Sequence, residues 1–337
     1  MKAFGINRIG LGLLGILLLC AGLVSGQTSD NVVGIFNMTI QPGDSFVAFP
    51  YQKPTLATGR IVANAEGVIT AAPEGWVWKS ELNEPGESTL YIEITDGPFE
   101  GWYFFIDSID GDTVTLADRK AAELAAGDLA GAGFKLIPAN RVRDLFGEPG
   151  ATLLAGGTSH RNADSILRWT GISWSAPIYV NTIDRPEDGR IAGHWYCNGQ
   201  LADDIVISRD EAVNLKIRGE APISLRLVGD VSRNAHAMVF EAGLHLVGGA
   251  TCISEQLGTS GLADVFQSAS VAPEADNLFA WQGAWSAPVF RNSEDGKWYQ
   301  GESEAVGFQI KPAQGYMVML RNPPVNNVWT RPSPLAE

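Results

Sequence analysis

Hydrophobic and polar residues alternate over many short segments of this chain, which is the pattern of half-buried β-strands. Most of these segments are rich in β-branched or aromatic residues and lie near Gly, Pro, Asp or Asn, which end strands. The clearest are residues 46–49, 89–94, 103–106, 113–116, 214–217 and 224–227. The pattern predicts an all-β fold, and helical periodicity is confined to short connecting segments.

Turn residues indicate one hairpin and one domain boundary. Asp110-Gly111 stands between two of the alternating segments and predicts a tight β-hairpin, because Asp-Gly adopts the backbone angles of such turns. The strongest interruption is Gly147-Glu148-Pro149-Gly150, where we place the boundary between two modules. The sequence therefore predicts one β module over residues 27–148 and another over residues 149–337, each a β-sandwich or a barrel.

The second predicted module contains an internal repeat, in which residues of about 163–218 align with residues of about 275–321. An Asp-x-x-x-x-Trp-x-Gly motif opens both copies, at Asp164 and at Asp276, and Trp-Ser-Ala-Pro follows in each. Such self-similarity is typical of a duplicated structural unit. Because about 60 residues are few for an independent core, we expect the two copies to share one core.

The first 26 residues have the pattern of a secretory signal peptide. Lys2 and Arg8 precede the apolar stretch 9–24, and small residues follow it up to Gly26. A retained membrane anchor is the alternative, but about fifteen apolar residues fall short of the roughly 20 that span a bilayer. We therefore expect a mature chain that starts at Gln27, has no transmembrane segment, and is exported to the periplasm, the cell surface or the extracellular space.

Charge and composition narrow the class of protein. The chain has 24 basic and 38 acidic residues, for a net charge of -14, which argues against a nucleic-acid binder that neutralises phosphates. Charged residues make up only 18% of the chain, which also has 38 Gly and 10 Trp. This composition favours a β-rich extracellular protein.

The cysteines indicate a disulfide. Two of them, Cys197 and Cys252, belong to the predicted mature chain, and an even number of cysteines in an exported protein favours a bond between them. The alternative is a pair of buried free thiols. Cys20 stands in the signal region after Leu19, where a lipoprotein site would need a small residue, so lipidation is a minor alternative.

Sequence motifs for catalysis or metal binding are missing. The four histidines occur in no zinc-ligand spacing; they are His160, His194, His236 and His245. The sequence also lacks a Gly-x-Ser-x-Gly motif and a nucleotide-binding glycine pattern. We therefore predict no catalytic residues, no metal and no cofactor, although 38 acidic residues leave open a glycosidase-type pair of carboxylates.

Aromatic residues are the strongest indication of binding. Four tryptophans stand at matching positions of the two copies: Trp169, Trp174, Trp281 and Trp285. Their apolar neighbours favour packing in a shared core over stacking on a ligand. Two Trp-Tyr pairs have Gly, His, Lys and Asn nearby and are better candidates for a ligand surface: Trp195, Tyr196, Trp298 and Tyr299.

Several of these features together resemble one family of proteins. They are the export signal, the repeated Asp-x-x-x-x-Trp-x-Gly motif, Leu145-Phe146-Gly147, and the segment 133–138 after a Thr-rich strand. In this combination the mature chain resembles, over most of its length, an uncharacterised family of secreted, β-rich bacterial proteins that often occur as several paralogues. The resemblance implies export and a β fold, and it carries no assigned activity.

These observations lead us to expect a secreted or cell-envelope structural or interaction protein without catalytic activity. Its partner would be an envelope or extracellular protein or a polysaccharide. A carbohydrate-binding module that uses the repeated tryptophans is the first alternative, and a secreted hydrolase with a carboxylate pair is the second. Exposed tryptophan rings in one groove would favour sugar binding, whereas two facing carboxylates in a cleft would favour the hydrolase.

Overall fold

The computed structural model describes residues 32–74, 90–117, 124–248, 251–322 and 327–333, and the predicted signal peptide lies outside these ranges. Regular structure in the described part is almost entirely β, which confirms the predicted all-β class. It consists of 26 strands, one short α-helix and three-residue 3₁₀ turns at Pro186–Asp188, Leu257–Thr259 and Leu262–Asp264. Within those ranges, none of the helices has the length and apolar character of a membrane span.

The first part of the fold contains two strands followed by a closed barrel. The two strands are β1 (Val33–Ile40) and β2 (Gly43–Ala48). The next six strands are β3 (Ala57–Ala65), β4 (Val68–Glu74), β5 (Leu90–Ile94), β6 (Tyr103–Asp110), β7 (Thr113–Leu116) and β8 (Gly133–Pro138). They close in the order β3-β4-β7-β6-β5-β8 around buried side chains such as Ile92, Phe104 and Phe134.

The predicted hairpin is confirmed within this barrel. Asp110 in β6 pairs with Thr113 in β7, so that Gly111 and Asp112 form a two-residue turn. Gly111 has a φ of 57°, which glycine adopts without steric cost and which tight hairpins require.

After the barrel the chain builds most of a six-stranded sheet. Its elements are β9 (Asn140–Arg141), α1 (Val142–Phe146), β10 (Ser165–Arg168), β11 (Ile178–Val180), β12 (Trp195–Cys197), β13 (Gln200–Leu201), β14 (Val206–Ile207), β15 (Ala212–Ile217) and β16 (Ile223–Asp230). The sheet order is β13-β12-β11-β10-β15-β2, while β1 pairs with β16 and β9 with β14. Strand pairing therefore crosses the boundary predicted at residue 149, because β1 and β2 pair with strands that lie beyond it.

The last part of the chain forms a second six-stranded sheet. Its strands are β17 (His236–Val239), β18 (Gly243–Gly248), β19 (Glu255–Gln256), β20 (Asn277–Ala280), β21 (Val289–Arg291), β22 (Trp298–Gln300), β23 (Ser303–Glu304), β24 (Gln309–Ile310), β25 (Gly315–Leu320) and β26 (Val328–Arg331). The sheet order is β18-β25-β20-β21-β22-β23, while β17 pairs with β26 and β19 with β24.

The two sheets have the same strand order, strand for strand. We call β1, β2 and β9–β16 the first unit, and β17–β26 the second unit. In the second unit only a few residues separate β18 from β19 in the sequence. In the first unit the corresponding strands are β2 and β9, and the whole barrel lies between them in the sequence. The barrel is thus an insertion into the first unit.

The two units meet along β2 and β18, in a contact that we call the seam. Gly248 of β18 donates its N–H to the carbonyl of Asp210 in the first unit at 2.8 Å. Ala48 of β2 donates to the carbonyl of Ala313 in the second unit at 3.0 Å. Each unit thus gives the other the same contact, as in a two-fold symmetric interface. A Cβ on Gly248 would stand 2.6 Å from that of Ala48, so this close approach requires glycine.

Candidate functional site

The repeated aspartates hold the backbone of their own unit. The carboxylate of Asp164 accepts the N–H groups of Ala155 at 2.9 Å and Arg218 at 2.7 Å. Asp276 makes the equivalent pair of bonds in the second unit. Both carboxylates are buried. Asp164 thus connects the start of β10 to the end of β15, and Asp276 connects the start of β20 to the end of β25.

The repeated tryptophans cross-link the seam. The indole N–H of Trp169 donates to the carbonyl of Leu244 in the second unit at 2.7 Å. The indole N–H of Trp281 donates to the carbonyl of Asp44 in the first unit at 2.9 Å. Within each unit two rings pack edge to face with centroids 5.2 Å apart: Trp169 with Trp174, and Trp281 with Trp285. These contacts give the four rings a packing role, although Trp174 is 37% exposed and the other three are only partly buried.

The two Trp-Tyr pairs differ in exposure. Trp195 and Tyr196 are both buried, and the indole N–H of Trp195 donates to the carbonyl of Gly147 at 3.1 Å. Their rings are therefore not available to a ligand, since core side chains cover both faces of β12 at this point. Trp298 and Tyr299 are half-buried, and a ligand surface there stays a prediction.

The disulfide predicted between Cys197 and Cys252 is absent, and both residues are partly buried free thiols. Cys197 ends β12 in the first unit, with its Sγ 3.5 Å from the carbonyl of Ala176. Cys252 lies in the segment between β18 and β19. Both side chains pack against the core of the first unit without forming a bond to each other. Burial raises the pKa of both thiols, which lowers their reactivity at neutral pH.

A cavity of about 270 Å³ opens on one side of the seam. Its apolar wall contains Trp169, Met238, Phe240 and Leu246. Its polar wall contains Arg168, Ser208, Asp210, Glu211 and His245. We call it the seam cavity, because both units contribute to its lining.

A bidentate ion pair stabilises the polar wall. Arg168 donates from Nε to Glu211 Oε1 at 2.5 Å and from Nη2 to Oε2 at 2.7 Å. Burial disfavours the charge of Arg168, but the pairing with Glu211 outweighs it and raises the pKa of the guanidinium. The hydroxyl of Ser208 lies 2.6 Å from that of Tyr103 in the barrel. The side chains of this wall are thus held in place before any ligand arrives.

Two buried ion pairs and one carboxylate–imidazole pair join the barrel to both units, and Asp210 of the middle pair also lines the seam cavity. They are Glu93 with Arg209 at 2.6 Å, Asp210 with His236 at 2.5 Å, and Glu255 with Arg331 at 2.8 Å. His236 also stacks on the ring of Tyr103, with centroids 6.4 Å apart.

This series of pairs is specific to one side of the seam. His236 lies opposite Arg331 in the pairing of β17 with β26. At the matching positions of β1 and β16, Phe36 lies opposite Leu227. Buried polar side chains in the second unit therefore correspond to apolar residues in the first.

The buried imidazole of His236 predicts a loss of stability in mild acid. Burial and the nearby Arg209 lower its pKa below the ordinary 6.5, and Arg331 contributes a smaller decrease. Asp210 raises the pKa, but not enough to offset these effects. Below pH 6.5 the imidazole of His236 binds a proton in the unfolded chain but stays neutral in the folded chain. The free energy of unfolding therefore falls as the pH falls. Urea denaturation of a chain that starts at Gln27 should show a decrease in the free energy of unfolding of about 1 kcal/mol from pH 7.5 to pH 5.5.

The matched variants for this prediction are His236→Phe, which introduces the residue found at Phe36, and His160→Gln, which changes an exposed imidazole. The first should flatten the pH profile between 5.5 and 7.5, and the second should leave it unchanged. Equal slopes in all three proteins would contradict the assignment to His236.

Two carboxylates, Asp210 and Glu211, line the seam cavity. A glycosidase needs one carboxyl group whose pKa is raised, so that it can protonate the leaving oxygen. Burial alone would raise the pKa of Asp210, but His236, Arg209 and Tyr103 lower it overall. Glu211 is held by Arg168. Each of the two groups thus has a basic side chain as a partner, Arg168 for Glu211 and His236 for Asp210.

Comparison with known proteins adds no assignment. No protein-family model matches the chain, and no solved structure matches it. Among the described residues, no group of three or more His, Cys, Asp or Glu side chains is placed to hold a metal ion. The geometry of the seam cavity is therefore the basis on which a function can be argued.

Proposed function

We propose that this protein is an exported, non-catalytic binding protein that holds a sugar ring of an envelope or extracellular polysaccharide in the seam cavity. The observation that supports this most directly is the composition of the cavity, which is lined by an indole, by aliphatic side chains and by the Arg168–Glu211 ion pair. Export is supported by the pattern of residues 1–26.

The two walls suit the two kinds of surface on a sugar. A pyranose ring presents C–H groups on its faces, and these pack on aromatic rings such as Trp169. Its hydroxyls both donate and accept, so carboxylate oxygens of Asp210 and Glu211 and the hydroxyl of Ser208 are suitable partners. A volume of about 270 Å³ lies just below the usual range for small-molecule pockets, which suits one ring.

The cavity exists because the two units differ at the positions that line it. Arg168 matches Ala280, Asp210 matches Ala313, and Leu246 matches Phe46. The larger Phe46 side chain fills the other side of the seam, with its ring 4.9 Å from that of Trp281. The fold therefore keeps the same frame on both sides, and the space that Phe46 fills on one side is left open beside Leu246 on the other.

We predict that Trp169→Ala removes polysaccharide binding, whereas Trp281→Ala retains it. Both changes delete an indole that bonds across the seam, at 2.7 Å and 2.9 Å, so their costs in stability should be similar. Only Trp169 lines the seam cavity. The mature protein and both variants would be mixed with cellulose, chitin and peptidoglycan, and the sedimented fraction measured with each.

Leu246→Phe supplies a second variant that leaves Trp169 in place. It copies the residue at the matching position, Phe46, and fills the cavity, so sedimentation should fall at least tenfold while the urea midpoint stays close to that of the parent protein. Equal loss of sedimentation in Trp169→Ala and Trp281→Ala would contradict the proposal, as would unchanged sedimentation in Leu246→Phe. Failure of the parent protein to sediment with any polysaccharide would favour a protein partner instead.

A further inference from the structure

A second cavity, of about 280 Å³, lies within the first unit beneath the loop that joins β11 to β12. Its polar lining includes Thr158, Ser159, His160, Tyr179, Arg185 and Arg190. None of its nine lining residues is Asp or Glu. The lining thus has two guanidinium groups and no carboxylate, in a chain with a net charge of -14, while Asp188 of the same loop pairs with Arg190 from outside the lining.

Protein contacts orient both arginines. Arg190 donates from Nη1 to the hydroxyl of Tyr179 at 3.2 Å, and its Nε lies 3.3 Å from Asp188, outside the lining. Arg185 donates from one Nη to the carbonyl of Thr158 at 3.3 Å. Within the described residues, its other guanidinium N–H groups have no protein acceptor. Donors of this kind, placed in a cavity, are free to bind an oxyanion with two parallel hydrogen bonds.

The second unit has the same strands without this cavity lining. Asn181 and Trp195 are separated by thirteen residues, whereas their counterparts Asn292 and Trp298 are separated by five, so that the loop carrying Arg185 has no equivalent. Tyr179 corresponds to Phe290, since each lies at the centre of its three-residue strand.

The remaining basic and polar groups also differ. Ala272 takes the place of His160, as the equivalent bridges at Gly157 and Ala269 show. Lys297 corresponds to His194, since Asn292 donates its N–H to the carbonyl of Lys297 as Asn181 does to that of His194. Arg190, like Arg185, therefore lies in the part of the loop that the second unit lacks. The polar groups of the cavity are therefore not needed to form the strand framework that the two units share.

We propose that this cavity binds a small organic molecule through an oxyanion group, a phosphate, sulfate or carboxylate, held by Arg185 and Arg190. The hydroxyl of Thr158 and the imidazole of His160 supply further donors around it, whereas the hydroxyl of Ser159 donates to Asn162 Oδ1 at 3.3 Å. The volume exceeds what a bare inorganic anion occupies, so the lining also contacts the body of the ligand. This site lies in the first unit alone and is independent of the sugar binding proposed for the seam cavity.

Calorimetry with four probes that share one body tests this assignment. Glucose 6-phosphate, glucose 6-sulfate and glucuronate carry the three candidate oxyanions, and glucose carries none. We expect at least one of the charged probes to bind at least tenfold more tightly than glucose at 0.15 M salt, where surface charges are largely screened. If none of the three binds more tightly than glucose, the proposal is overturned.

Arg185→Gln and Arg161→Gln form a matched pair of variants, since each removes one positive charge and Arg161 is exposed outside the lining. Arg185→Gln should weaken binding of the charged probe at least tenfold, and Arg161→Gln should change it less than twofold. Equal effects of the two variants would overturn the site, because they would indicate general electrostatic attraction.

Trp169→Ala should leave binding of the charged probe unchanged. If Trp169→Ala also lost binding of the charged probe, the probe would be bound in the seam cavity instead. Urea midpoints of all variants would show that they remain folded.

Discussion

Replacement of Arg331 by leucine should lower the free energy of unfolding by about 3–5 kcal/mol, the range for removing one partner of a buried ion pair. Arg331 has no exposed surface and pairs with Glu255 at 2.8 Å. It also donates to the hydroxyl of Thr251 at 3.0 Å and lies over the ring of Trp329. Without the guanidinium, the carboxylate of Glu255 stays buried with no partner of opposite charge.

The double variant Arg331→Leu/Glu255→Asn should recover most of that loss. These two residues copy Leu227 and Asn140, which occupy the matching positions of the first unit. Replacing a buried ion pair as a whole is far less costly than breaking it. Urea denaturation at pH 7.5 would measure both. A single variant within 1 kcal/mol of the parent, or a double variant no more stable than the single one, would contradict this account.

Trp195→Ala should cost about 3–5 kcal/mol, as is typical for removing a large aromatic side chain from a core. Trp195 is fully buried, packs against Phe146, and bonds to the carbonyl of Gly147. Its counterpart Trp298 is only half-buried, so Trp298→Ala should cost less than half as much.

Equilibrium denaturation of the two variants would measure this difference. Each change deletes a tryptophan side chain from the middle one of three neighbouring strands, β11–β13 in the first unit and β21–β23 in the second. Because the residue type and the strand position are the same, a difference in stability reports the difference in burial. Equal losses of stability would show that the two tryptophans have the same structural role. Such a result would contradict the difference in burial on which the prediction depends.

Local patterns were sufficient for those parts of the fold that depend on neighbours in the chain. Alternation in segments such as 103–106 predicts strands because the side chains of a strand point to opposite faces in turn. Asp110-Gly111 predicts its hairpin because the turn is formed by adjacent residues. The repeated aspartates at Asp164 and Asp276 indicated equivalent local frames, and they make equivalent backbone contacts.

Non-local pairing accounts for what sequence patterns missed. β2 pairs with β15, although all the barrel strands lie between them in the sequence. No local pattern specifies a partner so distant in sequence. Hence the barrel was not recognised as an insertion. Trp195 was expected at a loop edge because Gly193 and His194 precede it, but the burial of a ring depends on what packs over the strand.

The sequence by itself determined three properties: the all-β class, the position of the hairpin turn at Gly111, and the residues that recur in two related segments. These properties follow from side-chain periodicity and backbone preference, which act over a few residues. Only the tertiary structure decided that Arg168, Glu211 and Leu246 surround one cavity and that Cys197 and Cys252 stay free. Such relations depend on how distant strands pair and on which side of the seam a larger side chain fills the space.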